Sequence, residues 1–381
     1  MTPSFRLTRR TFARHLLAAG TLAVSGVRGH AAVDARRPAI GTDVFVTARD
    51  SGRVVAIDPD TSTIVGTIDA GFPVRDLAVS PLLRLLVASD GDAHLRVIDP
   101  ASGTAATLAL DLAPQRIQIS PLGTRIEAAD FSSGAVAFID LIALHETARV
   151  TGLGPIQDAM FGSDGTQFYV AGVGRDGLTV IDVLRGQVVR QSSGSSAGPF
   201  AAVARAPNGR DGFAAYAKAR LVDKLDLKGG APIASLPVGN DTPTISVTGT
   251  GRYLLLPDNS SQRLVIAATD PLQISAIVAG PAEMTRAYSA WFDMVAFVAS
   301  ATEPKLIVYD LDHLREAGAI ALAGIPAAGA VTPDGAKLFL PIPEAGVVQV
   351  VDAQRRQLAA TIPIGAPPAL LAVAGSYGLC H

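Results

Sequence analysis

The chain has almost no cysteine. Cys380 is the one thiol in 381 residues, so no intramolecular disulfide can form and packing alone must hold the fold. Charge is also sparse, at 17% Asp, Glu, Lys and Arg with a net charge of −2, which excludes bulk nucleic-acid binding. No run reaches the roughly 20 apolar residues of a membrane-spanning helix, so no span is expected in the mature protein. There is no Cys-x-x-Cys-His, hence no covalently attached c-type haem, and neither a Gly-Lys-Ser/Thr phosphate loop nor a His-Glu-x-x-His metal motif. Aromatics make up only 5%. Abundant instead are 37 glycines and 25 prolines in a 49% hydrophobic chain. That composition excludes disorder and indicates many short elements separated by turns.

Residues 1–31 read as an export signal. Thr8-Arg9-Arg10-Thr11-Phe12 supplies paired arginines of the twin-arginine type, Leu16 to Val24 a short apolar stretch, and Gly29-His30-Ala31 a small-residue cleavage site. The expectation is a periplasmic protein cleaved near Ala31, with residues 32–42 as a linker and 43–381 as one domain.

That domain is repetitive. A short apolar run ending in Asp recurs at Asp58, Asp99, Asp140, Asp182, Asp226, Asp310 and Asp352, with spacings of 41, 41, 42, 44, 84 and 42 residues. The 84-residue gap spans two periods and holds a degenerate copy, Leu264-Val265-Ile266-Ala267-Ala268, without its Asp. Each copy offers four strand-like runs with turn residues between them, the grammar of a propeller blade. The recurring Asp residues read as turn-makers. The first copy lacks an initial strand, and Ala369 to Val373 form an orphan one. The sequence therefore predicts an all-β, eight-bladed β-propeller of four-stranded blades, closed by pairing of N- and C-terminal strands.

The runs Phe45-Val46-Thr47-Ala48 and Phe168-Tyr169-Val170-Ala171, with Val79-Ser80-Pro81, Ile119-Ser120-Pro121 and Val331-Thr332-Pro333-Asp334-Gly335, resemble the YVTN family of β-propellers, the YncE-like proteins. The chain is also similar to the haem d1 propeller of cytochrome cd1 nitrite reductase and to NirF. The first resemblance implies an exported, non-catalytic propeller that binds a small-molecule ligand or a periplasmic protein partner on its loop face. The second implies a haem d1 binding or biogenesis protein with a capacity for redox chemistry.

In such a ring, the loops entering each first strand and those joining second to third strands open on one face. Aligning the copies places Arg75, Gln115, Gln157, Ala201, Pro243, Met284, Ala327 and Ala369 in one layer around the channel. The next layer is Asp76, Arg116, Asp158, Ala202, Thr244, Thr285, Ala328 and Leu370. Polarity is thus expected on blades two to four, with Arg75 and Arg116 holding acid groups of a flat amphipathic ligand. The competing reading is that these charges neutralise one another. Arg175 and Lys218 extend the positive side. Asp90-Gly91-Asp92-Ala93-His94 lies on the same face, where His94 is a candidate haem ligand or, with Asp90 and Asp92, a metal ligand. The plainer reading makes these ordinary loop residues.

Overall fold

The computed structural model describes residues 37–41, 43–174, 177–191, 198–216, 219–228, 232–238, 242 and 244–375. The signal segment, Arg175, Lys218 and Pro243 lie outside these. The described residues contain no helix, and therefore none long and apolar enough to cross a membrane.

Eight antiparallel sheets of four strands each form the molecule. Blades 2 to 8 follow the chain, each starting with the strand nearest the channel. Blade 1 is composite: Pro368–Val373 is its innermost strand and pairs with Val44–Ala48. This junction, expected from the sequence, joins the two ends of the propeller, leaving no open edge on the ring.

The order of the blades is fixed by what packs between them. Second and third strands, such as Leu85–Ser89 and Ala135–Asp140, are buried along nearly their whole length because both faces meet a neighbouring sheet. Eight apolar clusters result, each shared by two adjacent blades; Phe45, Val54, Leu77 and Leu86 join blade 1 to blade 2, and Val44, Val46, Phe339 and Val350 join blade 8 to blade 1. Outer strands face water on one side and alternate accordingly, as in Thr63–Asp69.

The recurring Asp residues act as the sequence suggests. Asp58 Oδ1 accepts from the amides of Asp60 and Thr61, and Asp140, Asp182 and Asp310 accept from the amides two and three residues on. Blade 6 has Ala268 at this position for a physical reason. Its ladder runs one pair further, through Thr269 and Leu272, and closes on the two residues Asp270 and Pro271, which leaves no wide turn for a carboxylate to cap.

Candidate functional site

The channel is lined by the eight innermost strands, and a cavity of about 480 Å³ within it falls in the range typical of ligand pockets. One arc of its wall is apolar, with Leu77, Val79, Ile117, Ala328, Leu370 and Val373. Against this arc stand three guanidinium groups, Arg116, Arg205 and Arg286, and one carboxyl group, Asp76.

Arg286 corrects the sequence alignment. In blade 7 the register shifts between Met284 and Arg286, so that Arg286 pairs with Ala299 just as Arg116 pairs with Ala129 and Asp158 with Ala171. The layer of Asp76, Arg116 and Asp158 therefore contains Arg286 and not Thr285, while Thr285 replaces Met284 in the layer above. Polarity is not confined to blades two to four. Blades 3 and 7 are four steps apart in a ring of eight, so Arg116 and Arg286 occupy opposite sides of the channel. Arg205 projects from blade 5, midway between them and three residues deeper along its strand.

Two of the expected site residues have structural duties. Asp76 Oδ2 accepts the Ile117 amide of the next blade at 2.7 Å, and Asp158 Oδ2 accepts the Val203 amide at 3.0 Å. Each thus caps the start of its neighbour's strand. Arg116 replaces that device in blade 3: its Nη1 donates to Asp158 Oδ1 at 2.8 Å and its Nη2 to the Ala159 carbonyl, while Phe131 lies 4.7 Å from the guanidinium carbon. Part of the expected neutralisation is therefore present, between Arg116 and Asp158. Arg205 donates to the Gly162 carbonyl at 2.9 Å, and burial holds its pKa below the usual arginine value. Burial also pushes the Asp76 carboxyl up to about 6, despite the amides of Ile117 and Leu77 and the nearby Arg116. In mild acid the channel loses the negative charge of Asp76.

The remaining candidates lie on the rim. Arg75 is mostly exposed, 3.6 Å from Asp50, and borders a separate hollow of about 550 Å³ with Phe72, Pro73, Asp90, Gly91, Asp92 and Gln115. Gln115 is engaged at both ends, accepting the Phe131 amide and donating to Ser132. Gln157 donates to the Ala201 carbonyl at 3.3 Å. His94 Nδ1 sits 2.6 Å from Asp90 Oδ2, and Asp90 Oδ1 also accepts the amides of Asp92, Ala93 and His94. Burial works against it, but the His94 and Asp92 amides and the His94 ring hold the Asp90 carboxyl below the usual range. His94 lines neither hollow, and among the described residues no three His, Cys, Asp or Glu side chains cluster as a metal site would require. Gly194-Ser195-Ser196-Ala197-Gly198 spells the Gly-x-Ser-x-Gly pattern, and all of it but Gly198 lies outside the described residues.

No protein-family model matches the chain, and no curated protein matches it. Solved structures do. A dihydro-heme d1 dehydrogenase, NirN, in complex with DHE superposes with a TM-score of 0.72 at 15% identity, over 88% of this chain and 76% of that one. Apo AztD from Citrobacter koseri gives 0.64 at 15% identity, over 89% and 98%. The β-propeller domain of Cps50 (Swd1) from Myceliophteria thermophila gives 0.57 at 16% identity, over 74% and 97%. At such identities the likeness is one of fold, and function must be argued from the site.

Proposed function

We propose that this chain is an exported binding propeller of the YVTN/YncE type that takes a flat, polyanionic small molecule in its channel. The observation that carries the reading is the arrangement of Arg116, Arg205 and Arg286 around one cavity that also holds a single, readily protonated carboxyl, the Gln118 amide and an apolar wall. Arginine pairs with carboxylates through charge-assisted, often bidentate hydrogen bonds, and the apolar arc covers the body of the same ligand. Export rests on the paired arginines and short apolar stretch at the start of the sequence.

A narrower reading, a haem d1-type tetrapyrrole, is favoured by the likeness to NirN in complex with DHE. The channel suits the acid groups of such a macrocycle, with Arg116, Arg205 and Arg286 holding them. It suits the iron less well. Among the described residues no imidazole or thiolate lines the cavity, and His94 on the rim is already paired with Asp90.

The test uses two probes. Benzene-1,3,5-tricarboxylate, followed by calorimetry, should bind saturably to the wild type and at least tenfold more weakly to Arg286→Leu. Equal affinity for both proteins would refute the site. Zinc coproporphyrin, followed by absorption, decides the narrower reading: saturable binding lost in Arg286→Leu supports a tetrapyrrole, and binding of the tricarboxylate alone rejects it.

A further inference from the structure

Glu127 lies on the second strand of blade 3, fully buried, and neither of its carboxyl oxygens has a hydrogen-bond partner. Its position is occupied by an apolar or aromatic residue in every other blade: Phe45, Val87, Tyr169, Phe213, Leu255, Phe297 and Phe339 share its place in the strand ladder. A leucine or phenylalanine would therefore fit this site and avoid the cost of burying a carboxyl group without donors.

The surroundings offer little relief. Gln118, directly across the ladder, donates its amide to the Ala159 carbonyl at 3.0 Å instead. Phe138 flanks Glu127 on the third strand, and together with Phe161 and Phe168 from blade 4 it forms an aromatic cluster. Two charged groups act on Glu127: Arg116, diagonally across the same sheet face, favours its ionisation, and Asp76 from blade 2 opposes it. Asp158 of blade 4 is already bound to Arg116. Arg116 Nε is itself buried without a partner. A buried acid thus sits beside one of the channel's anion-holding cations, with a second acid, Asp76, lining the cavity on the other side.

We propose that anion binding in the channel is coupled to proton uptake, with Glu127 and Asp76 as the acceptors, so that ligand and carboxylates compete for the charge of Arg116. The inference rests on the channel being the anion site. When Glu127 and Asp76 are ionised they add two negative charges to that of Asp158 around Arg116 and repel an incoming carboxylate. Protonated, they leave Asp158 as the one ionised partner of Arg116, and the ligand competes with fewer negative charges. The titration range agrees: burial pushes Glu127 up to about 8 and Asp76 to about 6, so both change charge within the span a bacterial envelope meets.

The experiment is calorimetric titration with benzene-1,3,5-tricarboxylate from pH 6.5 to 9.5, where the probe stays fully ionised, in buffers of differing ionisation enthalpy. The wild type should take up protons on binding near pH 8, and its affinity should fall by up to about tenfold per pH unit above that. Glu127→Gln should show neither effect, and Asp76→Asn, which removes a charge that opposes Glu127 ionisation, should keep a step but move it to lower pH. Zero proton uptake by the wild type, or the same pH profile in Glu127→Gln, would overturn the coupling and leave the anion site standing. No saturable binding at any pH would refute the anion site itself.

Discussion

Arg116 of the third blade and Asp158 of the fourth meet through a 2.8 Å hydrogen bond, with both side chains largely shielded from solvent. Asp158 also accepts the amides of Ala159 and Val203, so three donors on three segments depend on one carboxylate. Asp158→Ala should lower unfolding stability by about 2–4 kcal/mol, since it strands a partly buried cation as well as breaking the links between blades 3, 4 and 5. Denaturant unfolding of the two proteins checks this.

Arg75, a candidate from the sequence, and Arg286, which the alignment missed, should differ in their effect on binding. Arg75 is mostly exposed and outside the channel cavity. Arg75→Ala should therefore change tricarboxylate affinity less than threefold, whereas Arg286→Leu should cost about 1.5–3 kcal/mol of binding. Parallel calorimetric titrations distinguish the two sites.

Stability should fall as pH rises. Glu127 and Asp76 have folded-state values raised above those of exposed carboxyls. Their neutral forms favour the folded state, so the advantage is complete in mild acid, below the unfolded-state values, and is lost as pH rises through about 6 for Asp76 and about 8 for Glu127. Urea unfolding at pH 5, 7 and 9 should show a decline on the order of a few kcal/mol. Glu127→Gln should flatten the upper part of that curve.

Asp310 has the opposite sign. Burial raises its carboxyl, but the His313 amide and ring and the Arg356 guanidinium outweigh that and hold it at about 2. Its contribution is present above the ordinary carboxylate range and disappears as pH drops towards 2. Asp310→Ala should lose about 1–2 kcal/mol at pH 7 and nothing at pH 2, read as the difference in unfolding midpoints.

Gly165 turns between the first two strands of blade 4 with φ of 69°, where a side chain would sit 3.4 Å from Pro121 and Ser120 of blade 3. Gly165→Val places a β-branched residue in a left-handed conformation and should cost at least about 1–2 kcal/mol. Folded protein that survives should bind the tricarboxylate normally.

Most of the architecture was legible because a propeller writes its period into the chain. The recurring Asp marks a turn that needs a carboxylate cap, and even the copy that lacks it kept its apolar run from Leu264 to Ala268. The site was less legible. Aligning the copies on their first strands put Thr285 in the layer that Arg286 occupies, although Arg286 stands 24 residues before Asp310, as Arg116 does before Asp140 and Asp158 before Asp182. The pairing of Asp76 with Ile117 and of Asp158 with Val203 was hidden because those contacts run between blades 41 and 45 residues apart. Glu127 did carry a signal: a lone acid within Arg125-Ile126-Glu127-Ala128-Ala129, where the other copies are apolar. Its meaning became clear only once the residues facing it were known.

The central claim is that an anion bridges opposite sides of the channel. Crystals soaked with 5-amino-2,4,6-triiodoisophthalate, a flat ring carrying two carboxylates and three iodines, test it by anomalous diffraction. The account predicts a triangle of iodine peaks inside the channel, with the carboxylates directed at Arg116 and Arg286. Iodine confined to the outer surface or to the rim hollow beside Arg75, with the channel clear at saturating concentration, would contradict it.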